Sequence, residues 1–474
     1  MRRNWWIIIS YIFATIVFLI VASYAVLFAT GYKYDWQNKS FKKTGFILIE
    51  TYPKDATVTI AGKHINKKTP VIIRRLLPGN YLTEIRKEGY RPWQAVIEVE
   101  SGLVTEQRNL LLTLDKLSEE KLREKTVDKM VISPNYEKLA LVSGKEVAIW
   151  NVETKHEVSV YDPALVRQRI TTQDNYDVAN GTIQTLLFGP DNKTLLMQVV
   201  GRLNVYHVLL NSNTGQIKVL TKGRNIGNWQ WLNGNELIFM QGSSLYLTGF
   251  EAKENKKIID SVISYGVVDG SIYGTVKDEL GKHSLIRIEK NQTARIEIDE
   301  VAVAIQYQIH KIKNNWVLVT KSTSKSPANI WWYEPKNNED SWNQLASNIT
   351  SKVLWDNSSI IYQVGNKITA TKIDLNNKLE TREIFTAGSQ LAFASFHFDT
   401  LLYNQAGILK SLDLTGENNY TLFSVKNATE IVATDSQMSQ IIYINPTTRE
   451  LHAATLREKT KNTINLDRLI NRLN

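Results

Sequence analysis

Residues 130–154 read MVISPNYEKLALVSGKEVAIWNVET. Met130-Val131-Ile132 is a short apolar run, closed by Ser133-Pro134-Asn135, a turn in which Pro presets φ and Ser and Asn bond the local backbone. Residues 139–142 make a second apolar run, Gly144-Lys145 a tight turn, and residues 146–150 a third run ending on Trp150. Asn151-Val152-Glu153-Thr154 is its polar exit. Strand, polar turn, strand, polar turn, strand is the signature of an antiparallel meander.

The pattern recurs. Residues 187–197 read LFGPDNKTLLM and residues 229–239 WQWLNGNELIF, and weaker copies open near Ser264, Ile305, Ser351, Leu391 and Ile431. A period of 40–50 residues with several short strands per unit predicts a β-propeller. Residues 128–456 accommodate eight modules, with seven as the close alternative and a pair of β-sandwiches as the rival architecture. The phrases around Ser133-Pro134-Asn135 and Ile149-Trp150-Asn151 resemble propeller repeats of the WD40 and TolB type. That resemblance implies the architecture and no ligand.

Outward toward the amino end, residues 5–30 hold no charged side chain. Such a run, at about 1.5 Å rise per residue, is long enough to cross a hydrocarbon core of about 30 Å. Trp5 and Trp6 stand before it and Tyr32, Tyr34 and Trp36 after it, the aromatic belts of a membrane-spanning helix. It exceeds the apolar core of a cleaved signal peptide, so an uncleaved anchor is expected. Arg2 and Arg3 place the amino end in the cytoplasm, against an opposing signal from Lys33, Lys39, Lys42 and Lys43. Residues 1–31 are then a cytoplasmic tip and anchor, and residues 32–44 a juxtamembrane linker.

Between anchor and propeller, residues 45–112 alternate in short runs separated by turns. They predict a small β-sandwich of about seven strands. The order Gly45, Pro53-Lys54-Asp55-Ala56, Gly62, Thr69-Pro70, Leu77-Pro78-Gly79-Asn80-Tyr81 and Gly89-Tyr90 resembles a PEGA domain. That family is named for a Pro-Glu-Gly-Ala turn, whose two middle positions are Lys54 and Asp55 here. Asp visits the left-handed region that Gly favours, at some cost. The resemblance implies a β-sandwich of bacterial and archaeal surface proteins with no catalytic residues to transfer. Residues 113–127 are charged and helix-prone, and read as a linker or short helix. Residues 457–474 read as a tail with an amphipathic helix on Leu466, Leu469, Ile470 and Leu473. The fold class is therefore all-β behind a single helical anchor.

The chain has 474 residues, no cysteine and a net charge of +10. Without cysteine there are no disulfides and no thiolate chemistry; a large disulfide-free ectodomain suits a bacterial surface. The charge is uneven. Residues 32–44 hold four lysines against Asp35, and residues 45–112 ten basic against seven acidic side chains, while 113–454 is nearly neutral. Basic segments beside a bilayer attract anionic lipid, and anionic wall polymer by the same Coulomb force. The dispersed charge and the lack of a reading motif argue against nucleic acid.

Seven histidines fall singly, so no metal site is expected, and no nucleophile elbow, phosphate loop or calcium loop occurs. No cofactor and no catalytic residue is expected. The candidate binding residues are the basic pairs Lys67-Lys68 and Arg74-Arg75 on the sandwich, and Trp229, Trp231, Trp331 and Trp332 on the propeller, whose rings would stack on sugars unless core packing claims them. The expected function is a membrane-anchored extracytoplasmic binding or scaffold protein of the bacterial cell envelope. Its propeller would present a face to a protein or envelope glycan, with an anionic lipid or wall polymer at the sandwich. The alternative is an extracytoplasmic enzyme acting on wall or carbohydrate.

Overall fold

Helix α1, Arg2–Ala29, opens the chain. Its stretch Ile8–Ala29 is the one helix, among the described residues, long and apolar enough to cross a membrane, and none of it is buried by protein. Length and composition suit a membrane anchor or a signal sequence. The hydroxyls of Thr15 and Thr30 donate to the carbonyls of Tyr11 and Val26, both at 2.8 Å, so neither is left unsatisfied in an apolar medium.

The structure, a computed structural model, describes residues 2–163, 173–288, 295–301, 304, 306–312, 315–321, 326–333, 342–350, 353–355, 359–373, 379–387, 392–397, 400–424, 431–433, 439–445 and 447–458. It divides into two units, residues 1–117 with 456–474, and residues 118–455. The tail helix expected over 465–473 lies outside the described residues.

In the first unit, the expected linker 32–44 is a hairpin, β1 (Tyr32–Asp35) with β2 (Ser40–Lys43). Four-residue strands are too short to stand out from a polar linker in sequence. Seven strands follow: β3 (Gly45–Tyr52), β4 (Thr57–Ile60), β5 (Lys63–Ile65), β6 (Val71–Leu76), β7 (Gly79–Arg86), β8 (Trp93–Val99) and β9 (Val104–Leu111). They form two sheets, β6-β3-β9 and β5-β4-β7-β8, and β3 and β9 run parallel. In β8 the alternation is strict: Trp93, Ala95, Ile97 and Val99 are buried and the residues between them exposed. They share one core with Ile47, Ile49, Val58, Ile85 and Leu112.

The turn at 53–56 keeps its shape without glycine. Asp55 takes φ 65°, the left-handed region. Its amide donates to the carbonyl of Thr69 at 2.9 Å, the Ala56 amide donates to Thr69 Oγ1 at 3.1 Å, and the hydroxyls of Thr69 and Thr51 lie 2.6 Å apart. Gly45 is required by space, since a Cβ there would sit 2.6 Å from Val99 Cγ1 and closer still to the carbonyl oxygen of Glu100. Past residue 455 the chain belongs again to this unit: Leu456 and Arg457 are buried, and the Leu114 amide donates to the carbonyl of Leu456 at 2.7 Å.

The second unit is a succession of antiparallel sheets in chain order: four-stranded ones over residues 129–161, 182–222, 226–259, 262–301 and 392–424, and between the last two an eight-stranded one whose halves, 306–349 and 354–386, join at Ile349↔Val364 and stand as the fifth and sixth sheets. In a further sheet the outer strand comes from the other end of the unit. There β10 (Ser118–Arg123) pairs with Leu451–Thr455, which pairs with Gln440–Ile444 and then Ile431–Ala433. The first strand of one sheet lies beside the first strand of the next, as Val262–Val268 lies beside Gln306–Ile312.

Separate apolar cores join neighbouring sheets. Leu139, Leu141 and Trp150 of the first pack on Ile442, Ile444 and Leu451 of the last, which closes the ring. This is a β-propeller. Strands begin at 262, 306, 354, 392 and 431, within three residues of the weak sequence repeats.

The expectation for 113–127 is corrected. Residues 118–123 are the closing strand of the ring and not a linker or helix, and the propeller unit spans 118–455. Four of the six side chains of β10 are exposed, so it carries no hydrophobic alternation to read.

Candidate functional site

A cavity of about 760 Å³ opens among the first strands of the third, fourth and fifth sheets. Its frame is a set of side-chain clips between sheets. Gln230, on strand Ile226–Trp231, donates through Nε2 to the carbonyl of Tyr265 at 3.1 Å and accepts from the Val267 amide at 2.8 Å. One carboxamide thus continues backbone pairing from one sheet to the next. The Tyr265 hydroxyl reaches the carbonyls of Ile238, at 2.7 Å, and Asn228, and burial raises its pKa far above the usual tyrosine range. Ser264 Oγ accepts from the Tyr307 amide at 3.1 Å.

The Tyr307 hydroxyl accepts from the Ala304 amide at 2.8 Å and lies 2.6 Å from His283 Nδ1. That contact suits a neutral His283, whose Nδ1 either accepts from the hydroxyl or donates to it. Burial, and after it the charge of Lys277, lowers the pKa of His283 in agreement.

Against this locked frame stand side chains with no partner among the described residues. Gln306 and Gln308, alternate residues on Gln306–Ile312, are exposed to the cavity, and Lys321 enters its wall from the neighbouring strand. Their backbones pair in the sheet, but none of the three side chains makes a hydrogen bond or ion pair with a described residue. His310 continues the alternation, held neutral by burial, which pushes its pKa down to about 4. Among the described residues, the cavity offers two carboxamides and one cation to a ligand, on a wall already hydrogen-bonded within itself.

Trp229 also lines the cavity, but its ring is sandwiched, 4.4 Å from Phe239 and 4.9 Å from His207. Trp231 shares the same core between the second and third sheets. Successive strand residues point to opposite faces, so Trp331 packs between the fourth and fifth sheets and donates to Thr320 Oγ1 at 2.9 Å. Trp332, 4% exposed, packs between the fifth and sixth. The aromatic platform expected for sugars is corrected at Trp332, whose ring is buried between sheets, while Trp229, Trp231 and Trp331 are half-buried by the same kind of packing.

The basic pairs divide too. Arg74 and Arg75 are exposed on β6, an edge strand, whereas Lys67 and Lys68 stand in the loop before it. Lys68 lines a cleft with the carboxylates of Asp55, Glu88 and Glu458, and Lys67 and Arg74 line a different one. The Arg75 guanidinium lies 3.4 Å over the ring of Phe28, in the last turn of α1. Among the described residues, no group of three His, Asp or Glu gathers at metal-binding distance.

His207 supplies a pH prediction. It is 1% exposed, neither ring nitrogen has a hydrogen-bond partner among the described residues, and burial pushes its pKa down to about 4. The folded state therefore binds fewer protons than the unfolded state between pH 6.5 and 4. The stability this neutral ring contributes is complete above pH 6.5 and is lost as pH falls toward 4, by about 3 kcal/mol. In urea titrations at fixed pH, His207→Phe is expected to flatten that slope; an unchanged slope would show that another group carries it.

Residues 44–114 match the PEGA domain family. The chain matches no curated protein sequence. Among solved structures it is similar to a prolyl endopeptidase at 9% identity and TM-score 0.44, covering 70% of this chain and 54% of that one. It is similar to the WD40 domain of SCAP from fission yeast at 9% identity and TM-score 0.42, covering 72% and 94%. A third is the oligogalacturonate lyase of Vibrio parahaemolyticus, at 11% identity and TM-score 0.41, covering 66% and 97%.

Proposed function

We propose that this chain is a membrane-anchored extracytoplasmic binding or scaffold protein of a bacterial cell envelope. In this reading α1 is an uncleaved anchor with its amino end in the cytoplasm. The PEGA domain follows outside, and the propeller presents the cavity at its inner strands to a protein or envelope glycan. The observation that carries it is the pairing of a rigid, fully bonded frame (Gln230, Tyr265, Ser264) with unpartnered donors and acceptors at Gln306, Gln308 and Lys321. Such a wall is preorganised for hydrogen bonding, which lowers the entropic cost of binding. The Lys321 cation favours a partner bearing a carboxylate or other anion.

The test uses the full chain in detergent micelles with purified envelope glycan fragments, across a salt series. Retention without release of soluble fragments is expected. Replacing Gln306, Gln308 and Lys321 by Ala is expected to weaken retention about tenfold or more, the loss of two or three net hydrogen bonds. Replacing Lys67, Lys68, Arg74 and Arg75 by Ser is expected to remove a separate, salt-sensitive attraction to anionic lipid or wall polymer. Release of soluble sugar would favour the alternative, an extracytoplasmic enzyme acting on wall or carbohydrate.

A further inference from the structure

We infer that the hairpin β1–β2 is a membrane-docking element, its aromatic face seated among the lipid headgroups beside the point where α1 leaves the bilayer. This rests on the anchor reading above. Only Thr30 and Gly31 separate α1 from β1, and both ends of the hairpin are tied at that point. The carbonyl of Gly31 accepts from the Thr44 amide at 2.8 Å and from Thr44 Oγ1 at 2.7 Å. The hairpin therefore begins at the level of the interface. With a rise of about 3.3 Å per residue, four-residue strands cannot carry its tip far from there.

Its sequence sorts by face. The register Tyr34↔Phe41 and Tyr32↔Lys43 puts three aromatic rings on one side, and Lys33↔Lys42 and Asp35↔Ser40 put polar groups on the other. Trp36 packs edge-on against Tyr34 at 4.8 Å, and Phe41 against Tyr34 at 5.1 Å. The cluster is nonetheless uncovered: Trp36 is 83% exposed, Phe41 45% and Tyr32 38%. The hairpin pairs with no other strand. A two-stranded hairpin alone in water is marginal; the Ser101 hydroxyl donates to the Lys43 carbonyl at 3.2 Å, but the rings lie open, and rings of Trp and Tyr settle at the headgroup level.

The charges agree. Asp35 is spent internally: it pairs with Lys42 at 2.9 Å and accepts from Asn38 Nδ2 at 2.8 Å and the Gln37 amide at 3.0 Å. Lys33, Lys39 and Lys43 are left for lipid phosphates, and Arg75 holds the ring of Phe28 in the same layer.

The absence of cysteine makes single-site labelling clean. The full chain is placed in nanodiscs of phosphatidylcholine with phosphatidylglycerol. It carries one nitroxide at W36C, at Q37C (which keeps Trp36), at A14C within the span, or at K63C on exposed β5. Collision with oxygen and with a water-soluble nickel complex is then measured. Positions 14, 36 and 37 are expected to favour oxygen and to lose nickel accessibility relative to position 63. Tyr34→Ser with Phe41→Ser is expected to return position 37 to water and leave position 14 in lipid. A nickel-accessible position 14 would overturn the anchor reading and this inference with it. With position 14 in lipid, nickel access at 36 and 37 equal to that at 63 would overturn the hairpin inference alone, and shielding from both reagents would mean a protein cover instead.

Discussion

Trp332→Ala is expected to destabilise the propeller by about 3–5 kcal/mol, the range for truncating a fully buried aromatic side chain. The ring is 4% exposed and packs with Val317, Val319, Ile330, Ile360 and Tyr362, so the change opens a cavity between the fifth and sixth sheets. A sugar-stacking Trp behaves in the opposite way, losing ligand and keeping stability. Urea unfolding of the full chain in micelles separates the two. Trp331→Ala, at a half-buried ring, is expected to cost less. A Trp332 variant with unchanged stability and lost glycan binding would restore the platform reading.

Arg123→Ala is expected to cost about 2–4 kcal/mol and to loosen closure of the ring. Arg123 is the last residue of β10 and 7% exposed. Its guanidinium makes two bonds of 2.6 Å to the carboxylate of Glu157, on the outer strand Glu157–Tyr161 of the first sheet, and one of 2.9 Å to Ser143 Oγ. It also reaches the carbonyls of Lys125 and Thr126, both at 3.3 Å. This one side chain ties the closing sheet to the first.

Breaking a fully buried pair costs about 3–5 kcal/mol, and the value here is lowered because the Glu157 side chain is 30% exposed. Arg123→Lys is expected to recover little, since an ammonium does not reproduce the two-pronged contact. A double-mutant cycle with Glu157→Gln isolates the pair. A coupling near zero would mean that closure rests on apolar packing alone.

How much of this was legible in the residues depends on the range of the interaction. Asp55 in the left-handed region and the strict burial alternation of β8 follow from neighbours a few positions apart. Turn chemistry and period-two patterning act at that range. The recurrence of strand and turn from 130 onward is local in the same sense, which is why even the weak repeats near Leu391 and Ile431 mark true strand starts at 392 and 431. The apolar helix was equally plain, because its length and composition are read from the residues alone.

What escaped depended on contacts distant in sequence. β10 reads as a charged linker because its pairing partner, Leu451–Thr455, lies more than 300 residues away and leaves no pattern on exposed side chains. The Trp331-Trp332-Tyr333 run is conspicuous in sequence, but burial on both faces of its strand comes from two flanking sheets whose positions the run does not encode. At the cavity, Gln306, Gln308 and His310 carry no local mark of a site, because Gln230, Ser264 and Lys321 come to it from different strands. Local chemistry specified the parts and their kind. Closure of the ring, which brings distant strands to one axis, specified which polar groups were bonded to each other and which were left for a partner.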